Sequence, residues 1–270
     1  MRSGREPVPA RRALLGAALG ALVLATTAVA AAAPAGTSAA APDVAPSPVP
    51  SLSFEETWKA TIGLYRTGAE SAVDVNLRGS FGDVNAWAGV YAETAAGGAR
   101  DGVFRLGAEY AFRSETLRVT PTLGWGSNGF WGGQLYVEAG RRAFLIAGVS
   151  RTNLKDSYSL SFDPNESLQL GGGLDAGPRD HLSAFCIFDV RLGTGQQDTH
   201  VVWRHALGVE RRLTLDAVYK CGHTASGTFV RGLGAQATVD VRRVFLRVAY
   251  DPYANFGDLT MWRLGGGVRF

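Results

Sequence analysis

The last twelve residues of the chain, "LTMWRLGGGVRF" at 259–270, alternate in character and end on an aromatic ring. Every second residue from Thr260 to Phe270 falls on one side of an extended chain, and this side is mostly apolar. The other side carries Arg263 and Arg269 among glycines. A period of two residues predicts a β-strand with one apolar face and one polar face. The strand is therefore expected to contact nonpolar surroundings on one face and polar surroundings on the other.

The same alternation recurs upstream in segments of about ten residues, each followed by a break. The clearest segment, "VFRLGAEYAFR" at 103–113, sets Phe104 and Leu106 against Arg105 and Glu109. Counted from "TWKATIGLY" to the end of the chain, the pattern predicts about fourteen strands, with about twelve as the alternative if the loops take more residues.

The breaks between these segments alternate in size. Tight turns follow the even-numbered segments, around Gly82, Ser114-Glu115, Arg141-Arg142, Gly177-Pro178, Glu210-Arg211 and Arg242-Arg243. Longer stretches follow most odd-numbered segments, among them "TAAGGARDG", "GSNGFWGG", "RTNLKDSYSLSFDPNE", "GTGQQD" and "DPYANFGD". The pattern predicts short turns at one end of the sheet and longer loops at the other.

A soluble β-sandwich and a transmembrane β-barrel both produce alternating strands. Here charges recur opposite the apolar face, and aromatic rings gather near segment ends, at Trp58, Tyr65, Phe112, Trp125, Trp131, Tyr250 and Trp262. Aromatic girdles, an apolar outer band and a polar interior are typical of a membrane barrel. A closed sheet also satisfies the backbone amides for which hydrocarbon offers no partner. We therefore predict an all-β fold, a closed antiparallel transmembrane β-barrel.

The final eight residues, "RLGGGVRF", resemble the C-terminal signature of bacterial outer-membrane β-barrel proteins. The matching positions are Arg263, Gly265, Val268 and the terminal aromatic Phe270. In that superfamily the barrel-assembly machinery reads the final strand, which then pairs with the first strand. The resemblance implies a bacterial outer-membrane location, with outer-membrane lipid and the barrel-assembly machinery as partners.

The N-terminal part of the chain predicts export. Four arginines precede the apolar run "ALLGAALGALVLATTAVA", and Ala28-Val29-Ala30 fits a signal-peptidase site. We predict a signal peptide at 1–30, a flexible Ala/Pro-rich linker at 31–50 and the barrel at 51–270. A retained membrane helix is the alternative, which the alanine-rich run and the following Pro/Ala stretch argue against.

With the apolar faces outward, the opposite face carries more cations than carboxylates. The acidic residues on this face are Asp74, Glu109, Glu138, Asp189 and Asp216. The cations predicted to influence the lumen are Lys59, Arg78, Arg105, Arg118, Arg204, Arg247 and Arg263. A positive lumen attracts anions, so we predict a small porin-like channel favouring anionic solutes. Small porins whose basic lumens conduct anionic oligosaccharides are similar in style. The alternative is a network of internal ion pairs, such as Arg105 with Glu109, in a closed barrel.

Two other classes of function stay open. The first is a structural or adhesive barrel that does not conduct. The second is an outer-membrane lipid hydrolase, for which a serine must lie beside a histidine. His205 is predicted to face lipid, but its expected neighbours, Ala184, Cys186, Leu215 and Ala217, include no serine. We therefore assign no catalytic residue.

The sequence assigns no metal or cofactor. The loops with Asp163, Asn165, Glu166, Asp251 and Asp258 offer oxygen ligands, but turns beginning with aspartate explain these residues equally well. The net charge of +3 includes the arginines of the signal peptide, so no nucleic-acid surface is expected. The two cysteines, Cys186 and Cys221, are expected to stay unpaired because a strand separates their segments.

Overall fold

The computed structural model describes residues 57–68, 70–95, 98–99, 102–155 and 166–270. The predicted signal peptide and linker lie outside these residues, as do Asp163 and Asn165. Among the described residues, no helix has the length and apolar character needed to cross a membrane.

The described chain forms fourteen long strands. In order they are β1 (Trp58–Thr67), β2 (Glu70–Phe81), β3 (Val84–Ala95), β4 (Val103–Tyr110, continued by Phe112–Arg113), β5 (Leu117–Gly126), β6 (Trp131–Gly140), β7 (Ala143–Thr152), β8 (Ser167–Asp175), β9 (Asp180–Asp189), β10 (Gln197–Gly208), β11 (Arg211–His223), β12 (Phe229–Val241), β13 (Val244–Asp251) and β14 (Met261–Arg269). A two-residue segment, Gly98–Ala99, pairs with the end of β3.

The sheet closes on itself. Every strand pairs antiparallel with its neighbours in sequence, and β1 also pairs with β14, from Lys59 opposite Arg269 to Thr67 opposite Met261. The predicted all-β, closed antiparallel barrel of fourteen strands is confirmed, and the twelve-strand alternative is wrong. The segments were located correctly because apolar and polar residues alternate along each strand of a sheet that has one apolar face.

The two ends of the barrel differ as predicted. Two-residue turns at 82–83, 141–142, 209–210 and 242–243 join strands at one end, which we call the turn end. Longer connections at 127–130, 190–196 and 252–260 lie at the other, the loop end. The connection between β1 and β2 is an exception, because β1 ends at Thr67 and β2 already begins at Glu70.

The concave face of the barrel is identified by contacts between strands that are not neighbours. Arg105 of β4 bonds Asp74 of β2, and Lys220 of β11 bonds Asp251 of β13. Side chains two strands apart can meet only where the sheet curves toward them. The opposite face is apolar and exposed, as at Leu123 and Leu233, each 71% exposed. An outward apolar face of this kind is typical of transmembrane barrels.

Candidate functional site: the charged interior of the barrel

All seven cations predicted to influence the lumen lie at concave-face positions of their strands. They are Lys59, Arg78, Arg105, Arg118, Arg204, Arg247 and Arg263. The two-residue period of each strand places them there, because the apolar residues that alternate with them face outward. They nevertheless form two groups, which differ in whether a carboxylate lies within ion-pair distance.

Four of these cations form ion pairs with carboxylates. Arg78 bonds Glu109, Arg105 bonds Asp74, and Arg263 bonds Asp251. Arg118 Nη1 lies 3.7 Å from Glu138 Oε2, and the Tyr136 hydroxyl donates to Glu138 at 2.7 Å. For these four residues the arrangement is the internal network that the sequence left open. The partner of Arg105 is Asp74 rather than Glu109.

A buried ion-pair group occupies the loop end of the concave face. Lys220 Nζ donates to Asp251 Oδ1 at 2.8 Å, and Arg263 donates to Asp251 Oδ2. The side chains of Lys220 and Asp251 are each 1% exposed. Because burial strengthens the attraction between charges and makes an unpaired charge costly, the three residues hold β11, β13 and β14 together.

A second charged group lies at the turn end. Asp240 accepts from Arg269 at 2.6 Å and from Arg212 Nη2 at 3.2 Å. Lys59 Nζ lies 4.4 Å from the centroid of the Phe245 ring, and the Arg269 guanidinium lies 5.2 Å from it. Cations attracted to the face of an aromatic ring explain this packing.

The concave face carries carboxylates that the sequence prediction did not place there. Asp198, Asp240 and Asp251 are all buried. Two of them lie just beyond the predicted segments, because β10 begins at Gln197 and β12 ends at Val241, while Asp251 was assigned to a loop. The concave face therefore carries more carboxylates than the sequence predicted, and in Arg212, which pairs with Asp240, also a cation that was not predicted there.

Three of the seven predicted cations have no carboxylate within ion-pair distance among the described residues: Lys59, Arg204 and Arg247. Arg247 Nε donates to Thr238 Oγ1 at 3.2 Å, which orients the guanidinium. Arg204 of β10 lies on the concave face near Arg212 and Asp216 of β11. All three lie in the turn-end half of their strands.

A small cavity of about 30 Å³ lies beside Arg247. Its polar lining residues are Thr61, Tyr65, Gln236, Arg247 and Arg263, and Phe245 closes one side. A space of this size with several polar partners suits a water molecule or a small anion. Arg247 is therefore one of the polar residues that line a small space inside the sheet.

The described histidines have carboxylate or backbone partners. His200 Nδ1 lies 3.1 Å from Asp216, and its ring stacks on Phe185 at 4.8 Å. His205 Nδ1 lies 2.8 Å from Asp180 on the outward face. The predicted neighbours of His205 were wrong, because the register places Asp180 and Leu213 opposite it. A carboxylate partner orients a histidine but is not the serine hydroxyl that a lipid hydrolase of the expected kind needs.

The structure also locates the loop acids and the cysteines. Glu166 accepts from Thr152 and Arg191, and Asp251 is occupied by Lys220 and Arg263. Within the described residues, no group of three His, Cys, Asp or Glu side chains is placed to hold a metal ion. Cys186 of β9 and Cys221 of β11 are free thiols, and β10 lies between them.

The four residues of the C-terminal signature lie at the seam between β14 and β1. Gly265 pairs with Gly63, and Val268 pairs with Ala60, with Val268 exposed on the outward face. Arg263 points inward to Asp251. Arg263 therefore stabilises the closed sheet, and recognition of these four residues by the assembly machinery stays a prediction.

No protein family and no characterised protein matches this sequence. Among solved structures, the Acinetobacter baumannii outer membrane protein Omp33 is similar, with a TM-score of 0.50 and 10% identity over 80% of this chain and 98% of that chain. The NanC porin follows with a TM-score of 0.45 and 8% identity over 79% of this chain and 100% of that one. The KdgM porin has a TM-score of 0.43 and 9% identity, covering 78% and 99%. At these identities the likeness concerns the fold, and at that level the predicted resemblance to outer-membrane barrels is confirmed.

Proposed function

We propose that this chain is a porin-like channel of the bacterial outer membrane that favours anionic solutes. The observation that carries the proposal is that Lys59, Arg204 and Arg247 face the interior of a closed barrel without a carboxylate ion-pair partner among the described residues. Cations fixed in a tube with low-dielectric walls raise the local concentration of anions and lower that of cations. The remaining predicted arginines form ion pairs and contribute to the wall.

The outward face and the predicted export signal support the proposed location. Exposed apolar side chains cover the outside of the barrel, and water is a poor solvent for such a surface. A signal peptide at 1–30 would carry the chain to the envelope, where outer-membrane lipid and the assembly machinery are its partners. The similar protein Omp33 is itself described as an outer membrane protein.

The selectivity is expected to be weak. Carboxylates lie beside Arg78, Arg105, Arg118 and Arg263 and offset part of their charge, so only part of the positive charge acts on solutes. A solute carrying a carboxylate or phosphate would meet Arg247 and its adjacent cavity. The field of these cations is screened over about 10 Å at 0.1 M salt, so the preference should weaken as ionic strength rises.

The test is single-channel recording of the purified protein in a planar bilayer. The proposal predicts discrete current steps and a reversal potential in a KCl gradient that is shifted toward chloride, more strongly in dilute salt. A selectivity for potassium would contradict the anionic preference, and the absence of current would contradict the channel.

A structural or adhesive barrel is the second candidate. The extensive ion-pair network in the interior favours it, because paired side chains brace a wall and fill space. Absence of conductance in the same recording would favour this candidate. A lipid hydrolase is less favoured because Asp180, not a serine, lies beside the outward His205.

A further inference from the structure

The connection between β13 and β14 has an unusual backbone. It contains a short 3-10 turn, Ala254–Phe256, within the segment 252–260. Tyr253, Asn255 and Phe256 have φ angles of 52°, 51° and 55°. This left-handed region is disfavoured for residues with bulky side chains, so contacts elsewhere must hold the segment in place.

Those contacts are with the concave face of the barrel. Phe256 is only 3% exposed, although it lies in a loop. Lys220 Nζ lies 5.0 Å from the centroid of the Phe256 ring and donates to the backbone carbonyl of Tyr253 at 3.5 Å. Because Lys220 points into the barrel, a ring packed against it lies on the inside of the loop end and not on the outer wall.

The absence of a side chain at Gly232 of β12 leaves space for the segment 252–260 to pack against the sheet. A Cβ atom at Gly232 would lie 2.8 Å from Pro252 Cγ and 3.3 Å from Tyr253 Cδ2. Both distances are below ordinary contact, so a larger residue would push the segment away from the sheet. The inward position of the segment thus depends on a residue of another strand.

The ion pairs described above fix both ends of the segment. Asp251 immediately precedes it and accepts from Lys220, while Arg263 of the following strand donates to the same carboxylate. The Ala254 amide donates to the Leu259 carbonyl at 2.8 Å, which closes the segment on itself. Lys220 therefore contacts the Asp251 carboxylate, the Tyr253 carbonyl and the Phe256 ring at the same time.

We infer that the segment 252–259 is the size-selecting constriction of the channel, with Phe256 as the buried side chain that anchors the segment to the inside of the wall; this inference rests on the proposed function. Lys220, Asp251 and Arg263 are its positioning residues. The constriction lies at the loop end, whereas Lys59, Arg204 and Arg247 lie toward the turn end. Size and charge are thus selected at different depths, so one can be changed without the other.

The first test replaces the ring. In Phe256→Ala, single-channel conductance should rise and larger polyethylene glycols should enter the pore, while the reversal potential in a KCl gradient stays unchanged. Phe229→Ala is the control, because Phe229 is an exposed aromatic at the loop end of β12. Its conductance should equal that of the unaltered protein. A Phe256→Ala protein with unchanged conductance and exclusion limit would overturn the inference.

A second measurement does not depend on conduction. It compares the rates at which a water-soluble maleimide modifies two introduced thiols, Phe256→Cys and the reference Ser226→Cys. Both are made in a protein whose native cysteines are replaced by Cys186→Ala and Cys221→Ala. The thiol at 256 should react at least about tenfold more slowly than the exposed thiol at 226, a ratio equivalent to an opening free energy of about 1.4 kcal/mol. Adding Lys220→Met should speed the reaction at 256.

The two measurements separate the possible failures. If neither the unaltered protein nor Phe256→Ala conducts, the proposed channel function is contradicted. If both conduct with the same conductance and exclusion limit, or if the thiol at 256 reacts as fast as that at 226, the channel stands and the constriction is wrong.

Discussion

Trp58 and Phe270 exchange both of their backbone hydrogen bonds, from the Trp58 amide to the Phe270 carbonyl at 2.9 Å and from the Phe270 amide to the Trp58 carbonyl at 3.0 Å. The two residues are the first of β1 and the residue directly after β14. Their pairing completes the ladder that closes the barrel. Without it, the last backbone groups of the seam would face lipid or water without a protein partner.

Removing Phe270 should therefore impair assembly. Deleting it, or changing it to Asp, should reduce the folded protein in the outer membrane and leave export intact, because both the closing pair and the terminal ring are altered. Heat-modifiable migration of the membrane fraction on a gel measures the folded amount. Phe270→Tyr keeps the ring and should assemble normally. Normal assembly of the deletion would mean that the C-terminal match is accidental.

The buried group around Asp251 should contribute strongly to stability. Asp251→Asn leaves Lys220 and Arg263 without their shared carboxylate, and breaking a buried pair costs about 3 to 5 kcal/mol. The free energy of unfolding, measured with denaturant in lipid or detergent, should fall by about that amount.

The matched control for this prediction is Asp83→Asn. Asp83 pairs with Arg113 at the turn end, and their side chains are 49% and 52% exposed. Exposed pairs contribute about 0 to 1 kcal/mol, so this change should have little effect. Equal effects of the two substitutions would show that burial of Asp251 does not determine its contribution.

Glu166 predicts a pH dependence at the loop end. Burial acts to raise the pKa of Glu166, but hydrogen bonds from Thr152 and Arg191 outweigh it and hold the pKa below the usual 4.5. A carboxylate with a lowered pKa in the folded state stabilises the fold above pH 4.5 and loses this contribution as the pH falls through the folded-state pKa.

The difference in unfolding temperature between the unaltered protein and Glu166→Gln measures this contribution. The difference in unfolding temperature should be constant near neutral pH and shrink as the pH falls below 4.5. At low pH Glu166 is protonated and uncharged, as the glutamine of the variant is at every pH. Other carboxylates titrate in both proteins and cancel in the difference. A difference independent of pH would mean that the charge of Glu166 does not stabilise the loop end.

Much of the fold could be predicted because strand periodicity and the turn pattern are local signals. The alternation of Phe104 and Leu106 with Arg105 is visible without knowing any partner. The pairing of charges is not local: Arg105 bonds Asp74, a residue two strands away, and only the register fixes that contact. The inward fold of Phe256 was equally inaccessible, since its contacts come from Lys220 of another strand. The sequence could therefore predict which arginines face inward, but not which of them are neutralised.

Arg105 and Arg247 should consequently behave differently. Arg105→Gln removes the partner of the buried Asp74, so it should lower the free energy of unfolding and shift the reversal potential little. Arg247→Gln removes a cation without a carboxylate partner, so it should shift the reversal potential toward potassium with a smaller loss of stability. Denaturant unfolding and bilayer recording on both variants measure the two effects. The reverse assignment of effects would show that pairing does not decide which arginines act on solutes.

The most direct test of the central claim is the reversal potential, in a dilute KCl gradient, of the unaltered protein and of the double variant Arg204→Glu, Arg247→Glu. The control, Arg142→Glu with Arg179→Glu, makes the same charge change at exposed turn positions. We predict that the unaltered protein and the control favour chloride and that the lumen variant favours potassium. A potassium preference in the unaltered protein, or a reversal potential that the lumen variant leaves unchanged, would contradict the account.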